Sequence, residues 1–445
     1  MRRAQWLPAS ELRTRADAHL QRLLGRAIRH VPFYREWAAE NGVGPDELRS
    51  TEDLVRLPVV DKSIYRSRAR EAFLAEDIGA HRRLAYTTSG STGEPFPFFL
   101  DRQAMPLVFA SHLYYDDCFG IGPFDRCVRI MAPPAAEPPF PDGTPWSFRL
   151  KQRVSSRLQA IHERLTLRRF SMFDVTLESL ERIYDEIVRF DADYVMGYTS
   201  TLALMGDELA RRGKKLRRPL KGVITIAENL TEDRKRAIRG FFDGPIINRY
   251  GQREFKYWCA QSCEESSDRF HVNSELVIWE CVREDGTPCA PGEVGRVVLT
   301  NLHNHVMPFI RYDTKDLAAL SDEPCGCGRG FPVVEKLEGR SQEVFTSPSG
   351  RMVSPVALGQ YLFVTLDWVD VVRNYQLIQE GVGEARLKVV PVNGMPEEAR
   401  TRLATDMGEL LGDDVRVEVE LVEEIPLERS GKRPVIKVVR VEPAT

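Results

Sequence analysis

Between residues 84 and 320, short β-branched or apolar runs alternate with amphipathic helical stretches, and that alternation is met by an α/β architecture. Residues 128–131, 194–197, 222–227, 245–248 and 294–299 read as strands, and 177–190 and 232–242 as helices between them. Ahead of this region Leu12, Ala16, Leu20, Leu23, Leu24, Ala27 and Ile28 recur at helical spacing after Ser10, a good N-cap residue, and the pattern stops before Pro32. The Pro-rich run 133–141 fits neither regular structure and reads as a loop or lid. The last hundred or so residues change character, with strands at 374–378, 385–390 and 415–422 and a helix at 396–411. Val415, Val417, Val419 and Leu421 alternate with Arg416, Glu418 and Glu420, the pattern of a half-exposed antiparallel strand. The expected fold is therefore a large multi-layer α/β domain over 1–339 followed by a small α+β domain over 340–445.

The 62 basic and 65 acidic side chains nearly cancel, so charge gives no reason to expect a nucleic-acid partner. The one basic run, 211–218, follows a helical stretch and reads as a solvated helix end. Arg2 and Arg3 have no apolar run behind them, and no apolar segment reaches membrane-spanning length. The expectation is a cytoplasmic protein without membrane attachment and, by default for a soluble enzyme, a homodimer. In that compartment the eight cysteines are free, catalytic or metal-bound rather than paired.

Four blocks carry chemistry. Tyr86-Thr87-Thr88-Ser89-Gly90-Ser91-Thr92-Gly93 supplies hydroxyls and flexible backbone N–H groups without added charge, which suits a phosphate-holding loop as well as a solvated turn. It is not a Walker loop, because no Gly-Lys-Ser/Thr follows. Asn248-Arg249-Tyr250-Gly251-Gln252-Arg253-Glu254 places a glycine beside an aromatic ring, which permits a flat ligand, and a carboxylate four residues after the ring, which suits Mg²⁺. Asp316, expected at a strand end in Arg311-Tyr312-Asp313-Thr314-Lys315-Asp316, can accept hydrogen bonds from a ribose diol. Gly431-Lys432 sits in a charged loop able to carry a cation into a site. No Gly-x-Ser-x-Gly elbow supports serine hydrolysis, and His303 and His305 read as parts of a polar loop.

In this order and at these separations the blocks resemble the adenylate-forming ligase superfamily, and most closely its phenylacetate-coenzyme A ligase branch, with the capsule-biosynthesis (CapK) and coenzyme F390 synthetase-like proteins. His30-Val31-Pro32-Phe33-Tyr34, Leu57-Pro58-Val59-Val60-Asp61-Lys62, Gly197-Tyr198-Thr199-Ser200 and Ala227-Glu228 add to the likeness, which spans nearly the whole chain. The resemblance implies that Thr88, Ser89, Gly90, Ser91, Thr92 and Gly93 hold the ATP phosphates. It implies too that Glu228, Tyr250 and Gly251 frame the nucleotide, Glu254 binds Mg²⁺, Asp316 binds the ribose hydroxyls, Arg340 lies at the hinge, and Lys432 arrives with a mobile small domain for adenylation. Four positions depart from the family pattern: Asp313 and Lys315 stand in a motif that usually reads Arg-Tyr-Arg-Thr-Gly-Asp, Gln342 replaces the hinge aspartate, and Arg253 replaces the threonine before the metal glutamate.

Cys263, His271, Cys325 and Cys327 form a Cys₃His set suited to tetrahedral zinc, with Cys259 as a spare, and members of the branch look similar at these positions and hold structural zinc there. The expected activity is Mg²⁺-ATP-dependent activation of a carboxylic acid, aromatic by the resemblance, followed by transfer to coenzyme A. Tyr198, Phe255, Tyr257 and Trp258 can line the acid pocket. Two other readings stay open: the same adenylation with an amine, hydroxyl or carrier-protein acceptor, and a zinc-stabilised binding protein that has lost turnover.

Overall fold

The structure, a computed structural model, describes residues 1–88, 96–131, 146–172, 177–338, 345–349, 351–353, 355–381, 383–426 and 435–439. The predicted strand and helix alternation builds an 11-stranded sheet. Five strands, Leu167–Ser171, Cys127–Met131, Tyr194–Tyr198, Gly222–Ile226 and Ile246–Gly251, run parallel in that spatial order. Parallel neighbours need crossovers, and the helices Trp146–Thr166, Leu177–Arg189, Thr199–Arg211 and Glu232–Phe241 provide them. Tyr194–Tyr198 and Gly222–Ile226 are buried on both faces, as central parallel strands must be. The helices Thr199–Arg211 and Glu232–Phe241 approach so closely that a Cβ on Gly206 would lie 2.0 Å from the Ala237 carbonyl oxygen. Beyond Ile246–Gly251 the sheet turns antiparallel through Trp258–Cys263, Ser266–Val272, Val333–Glu338, Tyr312–Ser321, Gly295–Asn301 and Val277–Val282.

The first long helix, Ala9–His30, buries the predicted apolar stripe, Leu12, Ala16, Leu20, Leu23, Leu24, Ala27 and Ile28. Its N-cap is Pro8 rather than Ser10, and no side chain caps it. The predicted solvated helix end is laced with carboxylates: Arg212 and Lys214 pair with Glu181, and Arg218 with Asp191 and Asp193. Among the described residues no helix is long and apolar enough to cross a membrane.

Residues 345–438 build a separate four-stranded sheet, ordered Arg416–Leu421, Glu384–Pro391, Val372–Gly381, Ile436–Val438. Arg416–Leu421 pairs parallel with Glu384–Pro391, which corrects the antiparallel expectation. The reason is the helix Glu397–Leu411 between them: a chain that crosses over through a helix returns in the same direction, and alternating exposure at a sheet edge looks alike in either sense. The Pro-rich run and the 339/340 domain boundary lie outside the described residues.

Arg311 fastens the N-terminal region to the large sheet. It is 2% exposed, pairs with Glu280 at 3.1 Å, and donates to the carbonyls of Leu57 at 2.8 Å and Gly286 at 2.8 Å. Its own backbone N–H donates to Thr300 Oγ1, and its carbonyl accepts from Val60. Burial pushes the Glu280 carboxyl above its ordinary value, and Arg311 only partly offsets this. Removing the guanidinium would leave that group and several carbonyls stranded. Arg311→Met is expected to lower the unfolding free energy in denaturant titration by about 3–5 kcal/mol, and Glu280→Gln by less.

Candidate active site

The predicted site residues of the large domain gather where the parallel strands end, the usual ligand edge of such sheets. Tyr198 closes Tyr194–Tyr198, Ala227 and Glu228 follow Gly222–Ile226, and Tyr250 and Gly251 close Ile246–Gly251. Strand Gly222–Ile226 ends in a left-handed turn at Ala227, φ 65°. This lets Glu228 reach back so that its Oε2 accepts from the Ser200 backbone N–H at 2.7 Å. Thr88 is buried and closes the neck of the hydroxyl-rich run: its N–H donates to the Phe96 carbonyl and its hydroxyl accepts from the Phe96 N–H, both at 2.9 Å. Ser89, Gly90, Ser91, Thr92 and Gly93 lie outside the described residues, as do Arg340, Gln342 and Lys432.

Tyr250 and Asp316 meet across the sheet. The Tyr250 hydroxyl donates to Asp316 Oδ2 at 2.8 Å, and Gln252 Nε2 donates to the same hydroxyl at 2.6 Å and the same carboxylate at 3.2 Å. Burial, with the Asp316 charge beside it, holds the phenol protonated well above its ordinary pKa. Next to it Gly251 leaves no room for a side chain, since a Cβ there would stand 2.9 Å from a Trp258 ring carbon and 3.1 Å from the Tyr257 carbonyl oxygen. Asp316 is inside Tyr312–Ser321 rather than at a strand end. The ladder with Gly295–Asn301 shifts between the pairs Val298↔Asp313 and Arg296↔Leu317, so Thr314, Lys315 and Asp316 bulge opposite Val297. A bulge of this kind re-aims the side chains that follow it.

Glu254 is 2% exposed and carries two partners on one oxygen: Tyr312 Oη donates to Oε1 at 2.6 Å, and Lys62 Nζ lies 3.2 Å from it. Burial alone would raise this carboxyl, but the Lys62 charge and the Tyr312 hydroxyl overcome it and hold Glu254 below its ordinary value. A buried, ionised carboxylate is a fitting donor for a hard divalent cation. Lys62 was not among the expected site residues. Its motif, residues 57–62, was legible, but nothing in sequence spacing says which distant carboxylate its ammonium will meet. Lys256 was missed as well: its ammonium lies 4.0 Å from the Tyr86 ring centroid, and burial, helped by Arg253, pushes it down to about 8.

Phe255 and Tyr257 are buried in the core of the large domain. Phe255 packs among Tyr257, Phe309 and Tyr312, and the Tyr257 hydroxyl is consumed by the Leu276 carbonyl at 2.9 Å and Asn301 at 2.6 Å. Aromatic residues directly after a functional motif look the same in sequence whether they face ligand or core. Tyr198 is also buried, in the apolar cluster that includes Phe345, Leu358 and Leu362, where the two sheets meet. His303 fits the polar-loop reading, its Nε2 contacting the Glu275 carbonyl at 2.7 Å.

Cys263, His271, Cys325 and Cys327 converge, with their ligand atoms all within 4.8 Å of one another. Cys263 ends one strand, His271 lies on the next, and the two other cysteines come from the loop after Tyr312–Ser321. Cys263 Sγ lies 3.7 Å from Cys325 Sγ, and Cys327 Sγ lies 3.3 Å from His271 Nε2. Burial pushes the Cys263 thiol up to about 12 and the His271 imidazole down to about 4, so the imidazole is neutral at neutral pH, as a metal ligand must be. Cys259 lies elsewhere, buried, with its Sγ 3.9 Å from the Tyr257 carbonyl oxygen.

A family model described as the CapK C-terminal domain matches residues 345–438. A phenylacetate-coenzyme A ligase of Thermus thermophilus is 27% identical over 389 residues, covering 86% of this chain and 82% of that protein. A ligase of the same name from Pseudomonas putida is 25% identical over 330 residues, covering 72% and 69%. Among solved structures, 2-hydroxyisobutyryl-CoA ligase in complex with 2-HIB-AMP and CoA superposes with a TM-score of 0.63 at 20% identity, covering 98% of this chain and 92% of that one. That last likeness is one of fold, and it is the fold described above, a large α/β domain followed by a small one. Its relatives in sequence are named phenylacetate-coenzyme A ligases, its last hundred residues match the CapK C-terminal family model, and its fold is like that of a CoA ligase, so each likeness points to the branch that the sequence motifs resemble.

Proposed function

We propose that this chain joins a carboxylic acid to AMP at the expense of Mg²⁺-ATP and passes the acyl group to coenzyme A. The observation that carries the reading is the hydrogen bond between Tyr250 and Asp316 at the carboxyl end of a parallel strand, with the buried Glu254 four residues beyond Tyr250, in a chain whose relatives are named phenylacetate-coenzyme A ligases. In this reading Tyr250 stacks on adenine with Gly251 and Glu228 beside it, and Asp316 exchanges the Tyr250 hydroxyl for the ribose diol. Thr88 and the run Ser89 to Gly93 hold the phosphates. Arg340 belongs to the hinge between the domains, and we place their boundary within 339–344. An aromatic acid is the favoured substrate class.

The chemistry suits these residue types. A carboxylate is a poor acyl donor until its oxygen is carried on a good leaving group, which AMP provides. The acid oxygen attacks the α-phosphorus in line and pyrophosphate departs with the electrons of the broken P–O bond; positioning and neutralisation of charge supply most of the rate. Glu254 is the residue that would hold Mg²⁺, which when bound neutralises phosphate charge. Lys432 brings a second cation to the same oxygens, and its withdrawal clears the way for the thiol.

Acid-dependent release of pyrophosphate across aryl, arylacetic and short aliphatic acids, with and without coenzyme A and with mass spectrometry of the products, tests the reading. Release with formation of a thioester is expected. Release without one would move the acceptor to an amine, hydroxyl or carrier protein, and silence across the panel would favour a binding protein. Lys432→Ala is expected to slow adenylation by about 10²–10³-fold, as loss of one preorganised charge does.

We infer that Cys263, His271, Cys325 and Cys327 hold a structural zinc. Tetrahedral zinc with Zn–S bonds of about 2.3 Å separates its sulfurs by about 3.8 Å, against the 3.7 Å between Cys263 and Cys325. Elemental analysis of chelator-washed protein should find close to one equivalent of zinc. Cys325→Ser should lose it and lower the melting temperature; well under one equivalent in the parent would remove the site.

A further inference from the structure

Lys315 has the left-handed backbone conformation that glycine favours, with φ 65°. A residue with a Cβ is strained there and persists only where its surroundings hold it. Here the holding contacts are ionic. Its backbone N–H donates to Asp313 Oδ1 at 2.8 Å, its ammonium lies 3.1 Å from Asp313 Oδ2, and it reaches across to Asp61 Oδ2 at 2.7 Å. Asp313 also takes Arg296.

Asp61 is the link to the site. It caps the helix Lys62–Ser67, accepting from the N–H groups of Ser63 and Ile64, so the direction in which Lys62 leaves the chain follows from where Asp61 is held. The preceding residue, Val60, bridges to Tyr312, with its N–H on the Arg311 carbonyl at 2.9 Å and its carbonyl on the Asp313 N–H at 3.0 Å. The Lys62 ammonium then lies 3.2 Å from the buried Glu254 carboxylate.

We infer that Lys315 is a positioning residue of the nucleotide site: through Asp61 it clamps the segment 57–62 onto the strand that bears Asp316 and so holds the Lys62 ammonium against Glu254. The clamp holds a strained backbone with an ion pair that ties the N-terminal region to the site. This inference rests on the reading of Asp316 and Glu254 as nucleotide-site residues.

The test is the rate of acetylation of Lys62 by an N-hydroxysuccinimide acetate, followed by peptide mass spectrometry, in the full-length parent and in Glu254→Gln, Lys315→Gly and Asp61→Asn. Asparagine keeps the helix cap and removes only the charge. Loss of a half-exposed ion pair should free Lys62 to react about three- to tenfold faster in Lys315→Gly and Asp61→Asn, and at least as fast in Glu254→Gln. Lys315→Gly also relieves the backbone strain, so its melting temperature should stay close to the parent's, and the KM for ATP should rise more than kcat falls. Faster acetylation only in Glu254→Gln would overturn the clamp, and no change in any variant would overturn the Lys62–Glu254 pair on which it acts. Labelling needs no turnover, so silence in the pyrophosphate assay sinks the adenylation reading while the acetylation rates still decide the clamp.

Discussion

Everything near the site is referred to one buried guanidinium. Arg311 binds the end of the segment 55–57, the turn at Gly286, the strand carrying Glu280 and the strand carrying Thr300, and does so from a left-handed backbone position, φ 47°. Such an arrangement is costly to bury and is kept only if every donor finds an acceptor. Its effect is directional: five donors in a fixed plane can satisfy those carbonyls in few ways, so the N-terminal segment can dock on the sheet in few ways. Val60, Asp61 and Lys62 follow within five residues of Leu57, and their contacts with Tyr312, Lys315 and Glu254 are set by that docking.

The fold was largely legible because its strands are of the kind that periodicity reads best. Residues 194–198 and 222–226 are uninterrupted apolar runs between helical stretches, and a run of that sort has few places to go except the middle of a parallel sheet. The small sheet was harder. The alternation along 415–421 reports one buried and one exposed face, and this is a property of sheet edges rather than of strand direction; only the intervening helix, itself recognised, decided the direction. The site was legible as residue types and not as geometry. Tyr250, Glu254 and Asp316 announce themselves by sequence neighbours, whereas the bulge that aims Asp316 is a register shift between two strands, and no single strand's sequence contains it. At Phe255 and Tyr257 the difficulty is complementary, because the pattern that marks a functional turn continues without a break into core packing.

The departures from the family pattern make physical sense as a set. Lys315 brings strain and a charge to the bulge, and Asp313, two residues before it, meets both by accepting its N–H and pairing with its ammonium. Asp61 then sits between a capping role and an ion pair. Burial alone would raise its carboxyl, and the bonds from Lys315 and Ser63 overcome this and hold it at about 2. Arg253, which stands where the threonine is expected, adds positive charge beside Glu254, and burial lowers its pKa. The candidate site of this chain is thus more heavily charged than the motif it resembles, with Lys315 held by carboxylates and Arg253 buried.

The cysteine cluster lies at the other end of the same N-terminal segment. Arg329, two residues after Cys327, donates to Gln5 Oε1 at 2.8 Å, stands over the Trp6 ring and pairs with Glu264, one residue after Cys263. The Gly330 N–H donates to the Gln5 carbonyl at 2.7 Å, and a Cβ there would stand 2.0 Å from the Leu7 carbonyl oxygen, so glycine is needed for the chain to pass. The cysteine loop thus holds residues 5–7 against the sheet while Arg311 holds 55–57, and between the two fastenings the chain runs through the helix Ala9–His30, with its apolar face on the core, and then the helix Pro32–Glu40.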